Sequence, residues 1–331
     1  MSPLAWKQGA AVTVLGLVGM AAASGCNAIS GVGDYAFGAG GATTTTTTAT
    51  GTAGSGGSAG TGGATGGTGG GSSTGGAGAG EGGAGAGEPT LTDRGLVMRY
   101  YVDEAGSGQG PTQLFDAAPS PLDLSLTYSA ELSFATIFGH RGLRWTNHDL
   151  AGDARVAITG TKVQTMLQGS TTATIEVVTS VEDVSTSSCH FTTLGPGGHP
   201  GDLSLFTISD TSVRLVWNGA TDIGTWNVPI SGLGRVVLHA VIDTTESTAA
   251  ARTQLYVDTV AATKTSGATP DQNSTVDISA STTFVVGNGI SATNLSIGGT
   301  IFYVAYYASA LSETEIATNA ELLTASDDSP P

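Results

Sequence analysis

Apolar and polar positions alternate over many short stretches in the last two-thirds of the chain. Residues 236–243 are the clearest case. Val236, Leu238, Ala240 and Ile242 fall on one side, and His239 points the other way with Arg235. That alternation predicts a strand with one buried face and makes His239 a partly exposed structural histidine. Residues 96–103, 154–160, 203–209, 212–217, 254–257 and 284–287 read as further strands, and 174–184, rich in Ile and Val, as a central one. Asn218-Gly219 is a hairpin signal, and Asn288-Gly289 marks a turn after 284–287. Residues 300–307 are apolar on both alternating faces, which predicts a strand covered on both sides. The chain then changes period. Ser312 and Glu315 form an S-x-x-E capping box, and Leu311 with Ile316 forms the hydrophobic staple of a helix start. A short helical turn is also expected at 161–169. Many short strands, Gly-rich turns and almost no helix predict an all-β fold: a two-sheet antiparallel jelly-roll sandwich with a short C-terminal helix.

Composition changes this picture only before residue 89. Glycine supplies 51 of 331 residues, and residues 38–80 use only Gly, Ala, Thr and Ser, with six threonines in succession at 43–48. Nothing there can bury enough apolar area to offset the cost of ordering it, so the stretch reads as a disordered, flexible tether. As a random coil, residues 38–88 reach about 40 Å on average. Residues 9–23 are small and apolar and follow a short start that carries Lys7. The run is too short to span a bilayer and fits a signal-peptide core. It ends in Ala23-Ser24-Gly25-Cys26, which resembles the bacterial lipobox, with alanine where leucine is usual. That resemblance implies that Cys26 becomes the lipidated first residue of the mature chain; a plain cleavage site with a chance cysteine is the alternative. More than one acyl chain makes a lasting anchor. The expected organisation is a lipoprotein signal peptide at 1–25, a Gly/Thr/Ala/Ser-rich tether at 26–88 and one domain at 89–331. The expected location is the bacterial cell envelope, with Asn27 favouring the outer membrane or cell surface.

Charge narrows the partners. The domain holds 24 acidic and 10 basic residues, most of the chain's net charge of −16. Phosphate backbones need Lys and Arg to neutralise them, so nucleic acid is not an expected partner, and the membrane is reached through the lipid anchor alone. Carboxylates are the ligands of calcium, which makes Asp149 with Asp153, and Asp222, the candidate metal positions; solvated loops are the other reading. Cys189 adjoins His190, and His199 follows in a Gly-Pro loop, yet the further Cys and His ligands of a zinc site are absent, so a lone buried thiol is expected.

Three stretches together carry a family likeness: 236–243 with Leu255-Tyr256-Val257-Asp258, then 284–288, then 299–316 ending in Ala310-Leu311-Ser312-x-x-Glu315-Ile316. Their order resembles the laminin-G-like domains of the concanavalin A-like superfamily. Residues 95–103 resemble the opening strand of that family, and Thr174-Ile175-Glu176-Val177-Val178 resembles an inner strand that more often carries tryptophan. Thr259 departs from it where the hairpin turn usually has glycine. The resemblance implies a binding module more often than an enzyme, although the fold hosts both.

Glycosidases on this superfold use paired carboxylates in an E-x-D-x-x-E strand, which is absent. Glu176 and Glu182 share a predicted strand face, but six residues at roughly 3.3 Å each place them about 20 Å apart. Retaining enzymes need about 5.5 Å and inverting ones below about 10 Å. A serine elbow, a zinc helix and a phosphate loop are also missing. The expected activity is therefore non-catalytic recognition of an extracellular polysaccharide or a surface protein, with a purely structural or adhesive role as the alternative and a glycan-active enzyme as the second alternative. Sugar sites use exposed aromatic faces beside polar groups, and Trp145 and Trp226, next to polar loops, are the candidates; Trp217 continues the face of Val213 and Leu215 and is expected in the core.

Overall fold

The computed structural model describes residues 89–103, 108–185, 188–198, 200–219, 224–291 and 294–328. Cys26, the signal peptide, the tether, His199 and Asp222 lie outside these residues. In chain order the strands are β1 Leu96–Tyr101, β2 Gln113–Leu114, β3 Leu124–Thr127, β4 Leu132–Ile137, β5 His140–Trp145 and β6 Asp153–Ala157. A helix, α1 Lys162–Leu167, precedes β7 Thr172–Asp183, β8 Cys189–Gly195, β9 Leu203–Ser209, β10 Ser212–Trp217, β11 Gly224–Asn227 and β12 Arg235–Asp243. The chain closes with β13 Thr253–Val257, β14 Val260–Ala261, β15 Thr263–Ser266, β16 Thr283–Val286, β17 Gly298–Tyr307 and the helix α2 Glu313–Ala325.

Among the described residues these strands form two antiparallel sheets. One runs β14-β13-β12-β7-β17-β5-β4, and the other β15-β11-β10-β9-β8-β16-β6-β3-β2. β17 holds the first sheet together. One edge pairs with β7 along its whole length; the other pairs with β5 at Gly299–Ile301 and with β1 at Tyr303–Tyr307. The register of β17 against β7 shifts between Ile301 and Tyr303. This bulge turns both Phe302 and Tyr303 to the outer face, while Ile301 and Val304 stay inside.

Two apolar layers result. Between the sheets lie Val177, Leu238, Ile301 and Val304 with Trp145 and Trp226 from the flanks. The outer layer lies under α2, where Val178, Val237, Tyr303 and Tyr307 meet Leu311, Ile316, Ala320 and Leu323. The helix starts as its sequence requires. The Ser312 hydroxyl accepts from the Glu315 amide, and Glu315 accepts from the Ser312 amide at 2.8 Å. Leu311 and Ile316 are both buried, as a staple demands. Ile316, Asn319, Ala320 and Leu323 are the buried face of α2, spaced i, i+3, i+4 and i+7. Every residue of β17 is buried, in agreement with apolar composition on both faces.

The β13–β14 turn forms with Thr259 in place. Val257 pairs with Val260 across a two-residue loop, and Asp258 takes the left-handed φ of 55° that glycine more often supplies. Its carboxylate accepts the Val237 amide at 2.9 Å, which holds the turn against β12.

Candidate functional site

Two features stand out on the outer face of the first sheet, at opposite ends of β7. The first lies beneath α2. Glu176, fully buried on β7, accepts from His239 Nε2 at 2.7 Å, from the Tyr307 hydroxyl at 2.8 Å and from Asn319 Nδ2 at 2.9 Å. His239 is therefore not partly exposed: α2 covers the face that the strand alternation left polar, and its ring is fully buried. Arg99 continues the network, donating to the hydroxyls of Tyr303 at 3.0 Å and Tyr307 at 3.3 Å and to Asp93 at 2.8 Å. Burial alone pushes the Glu176 carboxyl up. The hydrogen bonds from His239, Asn319 and Tyr307 and the charge on His239 outweigh it, and the net direction is below the ordinary value. This packed cluster fastens α2 to the sheet.

The second feature is an open groove of about 480 Å³ at the other end of β7, lined by Phe138, Ser180, Val181, Glu182 and the loop Gly232-Leu233-Gly234. Its volume lies within the range of small-ligand sites. One wall is the tip of the β4–β5 hairpin. Ile137 pairs with His140, so Phe138 and Gly139 form a two-residue loop with φ of 56° and 86°. Positive φ at both positions calls for Asn-Gly or similar residues. Phenylalanine there holds a sterically disfavoured conformation, a departure that clusters at functional sites. Phe138 is also 63% exposed. The opposite wall is Leu233, 42% exposed and flanked by glycines at φ of 88° and 76°. Ser231 bridges to Val181, and the Gly232 amide donates to the Val181 carbonyl, which sets that loop against β7.

The floor is polar. Ser180 Oγ is buried and has no hydrogen-bond partner among the described residues; Thr300 Oγ1, its neighbour in register on β17, is in the same state. Glu182 is held by Arg144 from β5, Nη1 to Oε1 at 2.5 Å and Nη2 to Oε2 at 2.8 Å. Glu182 also borders a second, separate hollow of about 380 Å³, lined by Asp183, Ser185, Ser209, Asp210 and Ser231. His148 Nδ1 lies 2.5 Å from Asp183 Oδ2 at its rim. Phe138 and Leu233, both exposed, thus line one groove with Ser180 and Glu182.

The residues expected to bind lie elsewhere. Trp145 is fully buried and its Nε1 donates to the Gly152 carbonyl at 3.1 Å; Trp226 is 1% exposed and sits under Lys264. Both are core residues of the sandwich, and neither presents an aromatic face to solvent. Trp217 is in the core, as its strand face predicts. Asp153 is buried, and both its carboxylate oxygens take hydrogen bonds from Arg155. Asp149 Oδ2 lies 3.8 Å from His148 Nε2. Among the described residues no cluster of three or more His, Cys, Asp or Glu has metal-binding geometry. Cys189 is buried and accepts from the Ser185 amide; burial pushes its thiol up to about 11. Sequence reasoning passed over Phe138 because 132–145 lacks strict alternation. The signal was there: an aromatic followed by glycine between two arms of similar length.

No family model matches the chain, and no curated protein matches it in sequence. Among solved structures it is similar to a Trypanosoma rangeli sialidase in complex with 2,3-difluorosialic acid, at 16% identity and a TM-score of 0.48, over 72% of this chain and 35% of the sialidase. It is also similar to domain 4 of AbnA, a GH43 extracellular arabinanase from Geobacillus stearothermophilus, in complex with arabinotriose: 14% identity, TM-score 0.44, 68% of this chain and 98% of that domain. A third is the binding domain of botulinum neurotoxin DC in complex with rat synaptotagmin II, at 13% identity and a TM-score of 0.49, over 69% of this chain and 52% of that one. The chain spans about a third of the length of the sialidase structures it matches. At these identities the likeness is one of fold alone.

Proposed function

We propose that this chain is a non-catalytic binding module that holds a glycan in the groove between Phe138 and Leu233, and that it is anchored to the bacterial envelope through lipidated Cys26. The observation that carries the reading is Phe138: an exposed aromatic kept at an unfavourable backbone angle at a groove that Ser180 and Glu182 also line. A sugar ring offers C–H faces to an aromatic and hydroxyls to polar groups, and this groove presents both kinds of surface together. Both oxygens of Glu182 are taken by Arg144, and Glu176 is sealed beneath α2, which favours binding over bond cleavage. The laminin-G-like resemblance of the closing strand and helix agrees with a binding role, and the lipobox and tether agree with display at a surface.

The test is a polysaccharide panel probed with the full chain and with Phe138→Ala, in calcium and in chelator. The expected result is saturable binding that Phe138→Ala weakens at least tenfold, with or without calcium. Binding that Phe138→Ala leaves intact would refute the groove. Capture of a surface protein with no affinity for any sugar would refute the glycan reading and favour an adhesive role.

A further inference from the structure

Two segments that line the groove, the β4–β5 tip and the Gly232–Gly234 loop, are tied to one carboxylate. His140 stands two residues after Phe138, and Arg235 directly follows Gly234. Both reach Asp327, which the chain supplies just after α2. His140 Nδ1 lies 2.9 Å from Asp327 Oδ1, and Arg235 donates to Oδ2 from Nε at 2.9 Å and from Nη2 at 2.6 Å. Each partner is placed for a reason. The bulge in β17 turns Phe302 outward, and its ring seats both side chains: His140 edge-on with centroids 6.3 Å apart, and the Arg235 guanidinium 5.6 Å from the centroid. The last turn of α2 has no basic residue of its own, and its final carbonyls lack donors within the helix. Arg235 donates to the carbonyls of Leu323 and Thr324, which brings the helix end, and Asp327 with it, to the same spot. Asp327 is only 1% exposed, and a carboxylate withdrawn from water has to stay paired. Its two oxygens are divided between the two segments.

The geometry points to Asp327 as a positioning residue: a C-terminal clasp that holds Phe138 and Leu233 in one arrangement, so that the groove is formed before a ligand arrives, an inference that rests on the binding reading above. Phe138-Gly139 is a two-residue tip and Leu233 lies between two glycines, so backbone pairing alone does not fix where either side chain sits. Asp327 does not line the groove; it acts through His140 and Arg235. A site whose loops are already ordered binds more tightly, because none of that order has to be imposed by the ligand.

The experiment follows hydrogen exchange of the full chain, without ligand, in four forms. They are the wild type; Asp327→Leu, which keeps the bulk and loses both contacts; His140→Phe, which keeps a ring on Phe302 and loses one contact; and the double variant. Asp327→Leu speeds exchange about fivefold at both 138–140 and 231–234, and His140→Phe does so at 138–140 alone. The double variant is no faster at 138–140 than Asp327→Leu, because the two changes remove the same contact. The β9–β10 turn, on the other sheet, keeps its wild-type rate and excludes general loosening. A residue that merely supported α2 would loosen the helix end and leave 138–140 as it was, and that result overturns the clasp. Should Asp327→Leu fail to fold, unchanged exchange at 138–140 in His140→Phe overturns it equally. The same forms are then titrated with xylan, mannan and β-glucan oligomers, and Asp327→Leu weakens binding about tenfold. Loosened segments with unchanged affinity would refute the positioning role and leave the groove standing. If Phe138→Ala changes no affinity, the groove reading itself falls. Coupled loosening in a wild-type chain that binds none of the oligomers would support the clasp and count against the glycan reading.

Discussion

Replacing Glu176 by glutamine isolates the cluster that fastens α2 to the sandwich. The wild-type carboxylate accepts from His239, Tyr307 and Asn319, all buried. Glutamine with its oxygen at the Oε1 position still accepts from both His239 and Asn319, but it puts an amide donor where Oε2 accepted the Tyr307 hydroxyl. At about 1–3 kcal/mol for one buried donor left without its acceptor, the loss is about 1–3 kcal/mol. For a domain of 150–250 residues each kcal/mol lowers Tm by roughly 2–4 °C, so a fall of about 2–12 °C is expected. The pH dependence follows from the direction of the Glu176 shift. Its folded-state value lies below the ordinary 4.5, so its contribution is fully present above 4.5 and is lost as pH falls through the folded value. Thermal and denaturant unfolding followed by circular dichroism, at neutral pH and between pH 5 and 2, measures both effects. The variant should melt lower at pH 7 and lose stability less steeply in acid than the wild type. A neutral-pH loss below about 1 kcal/mol, or an unchanged acid arm, would show that water reaches the carboxylate and that the cluster is not closed.

Other variants probe the remaining parts. Phe138→Gly should raise stability by about 0.5–1 kcal/mol, because glycine takes a φ of 56° without strain, while glycan affinity is lost; equal or lower stability by urea titration would show that Phe138 is not strained. Arg94 donates to both oxygens of Glu315, at 2.7 and 2.6 Å, and holds that carboxyl down at about 2. Arg94→Ala should return it toward 4.5 in an NMR titration, at a cost below about 1 kcal/mol because Arg94 is half exposed; an unmoved titration would remove Arg94 as the cause. With its thiol pushed up to about 11, Cys189 should resist a thiol reagent at pH 8 in the folded protein and react once denatured; rapid reaction in the native state would contradict its burial.

Fold and site were unequally legible in the sequence, for physical reasons. β9 and β10 were placed at their observed bounds, because local alternation and turn residues specify a strand that pairs with its chain neighbour. The start of α2 was equally plain, since a capping box is written in four consecutive residues. The burial of His239 was not, because it depends on α2 crossing β12 after more than seventy intervening residues. The β4–β5 hairpin, β8 and β11 are not legible, for a related reason: their short sequences carry little strict alternation, and they become strands by pairing with better-defined neighbours. Tryptophans beside polar loops suggested exposed faces, yet in a sandwich the largest side chains fill the space between sheets. The phenylalanine at the β4–β5 hairpin tip is instead exposed, visible only once its backbone angle and accessibility are known.

Hydrogen exchange of the full chain, with and without a saturating glycan from the panel, tests the groove most directly. Slowed exchange confined to the Phe138–His140 tip, the end of β7 and the Ser231–Gly234 loop is the result the account predicts. Slowing at any other surface, with those three segments unchanged, would contradict it.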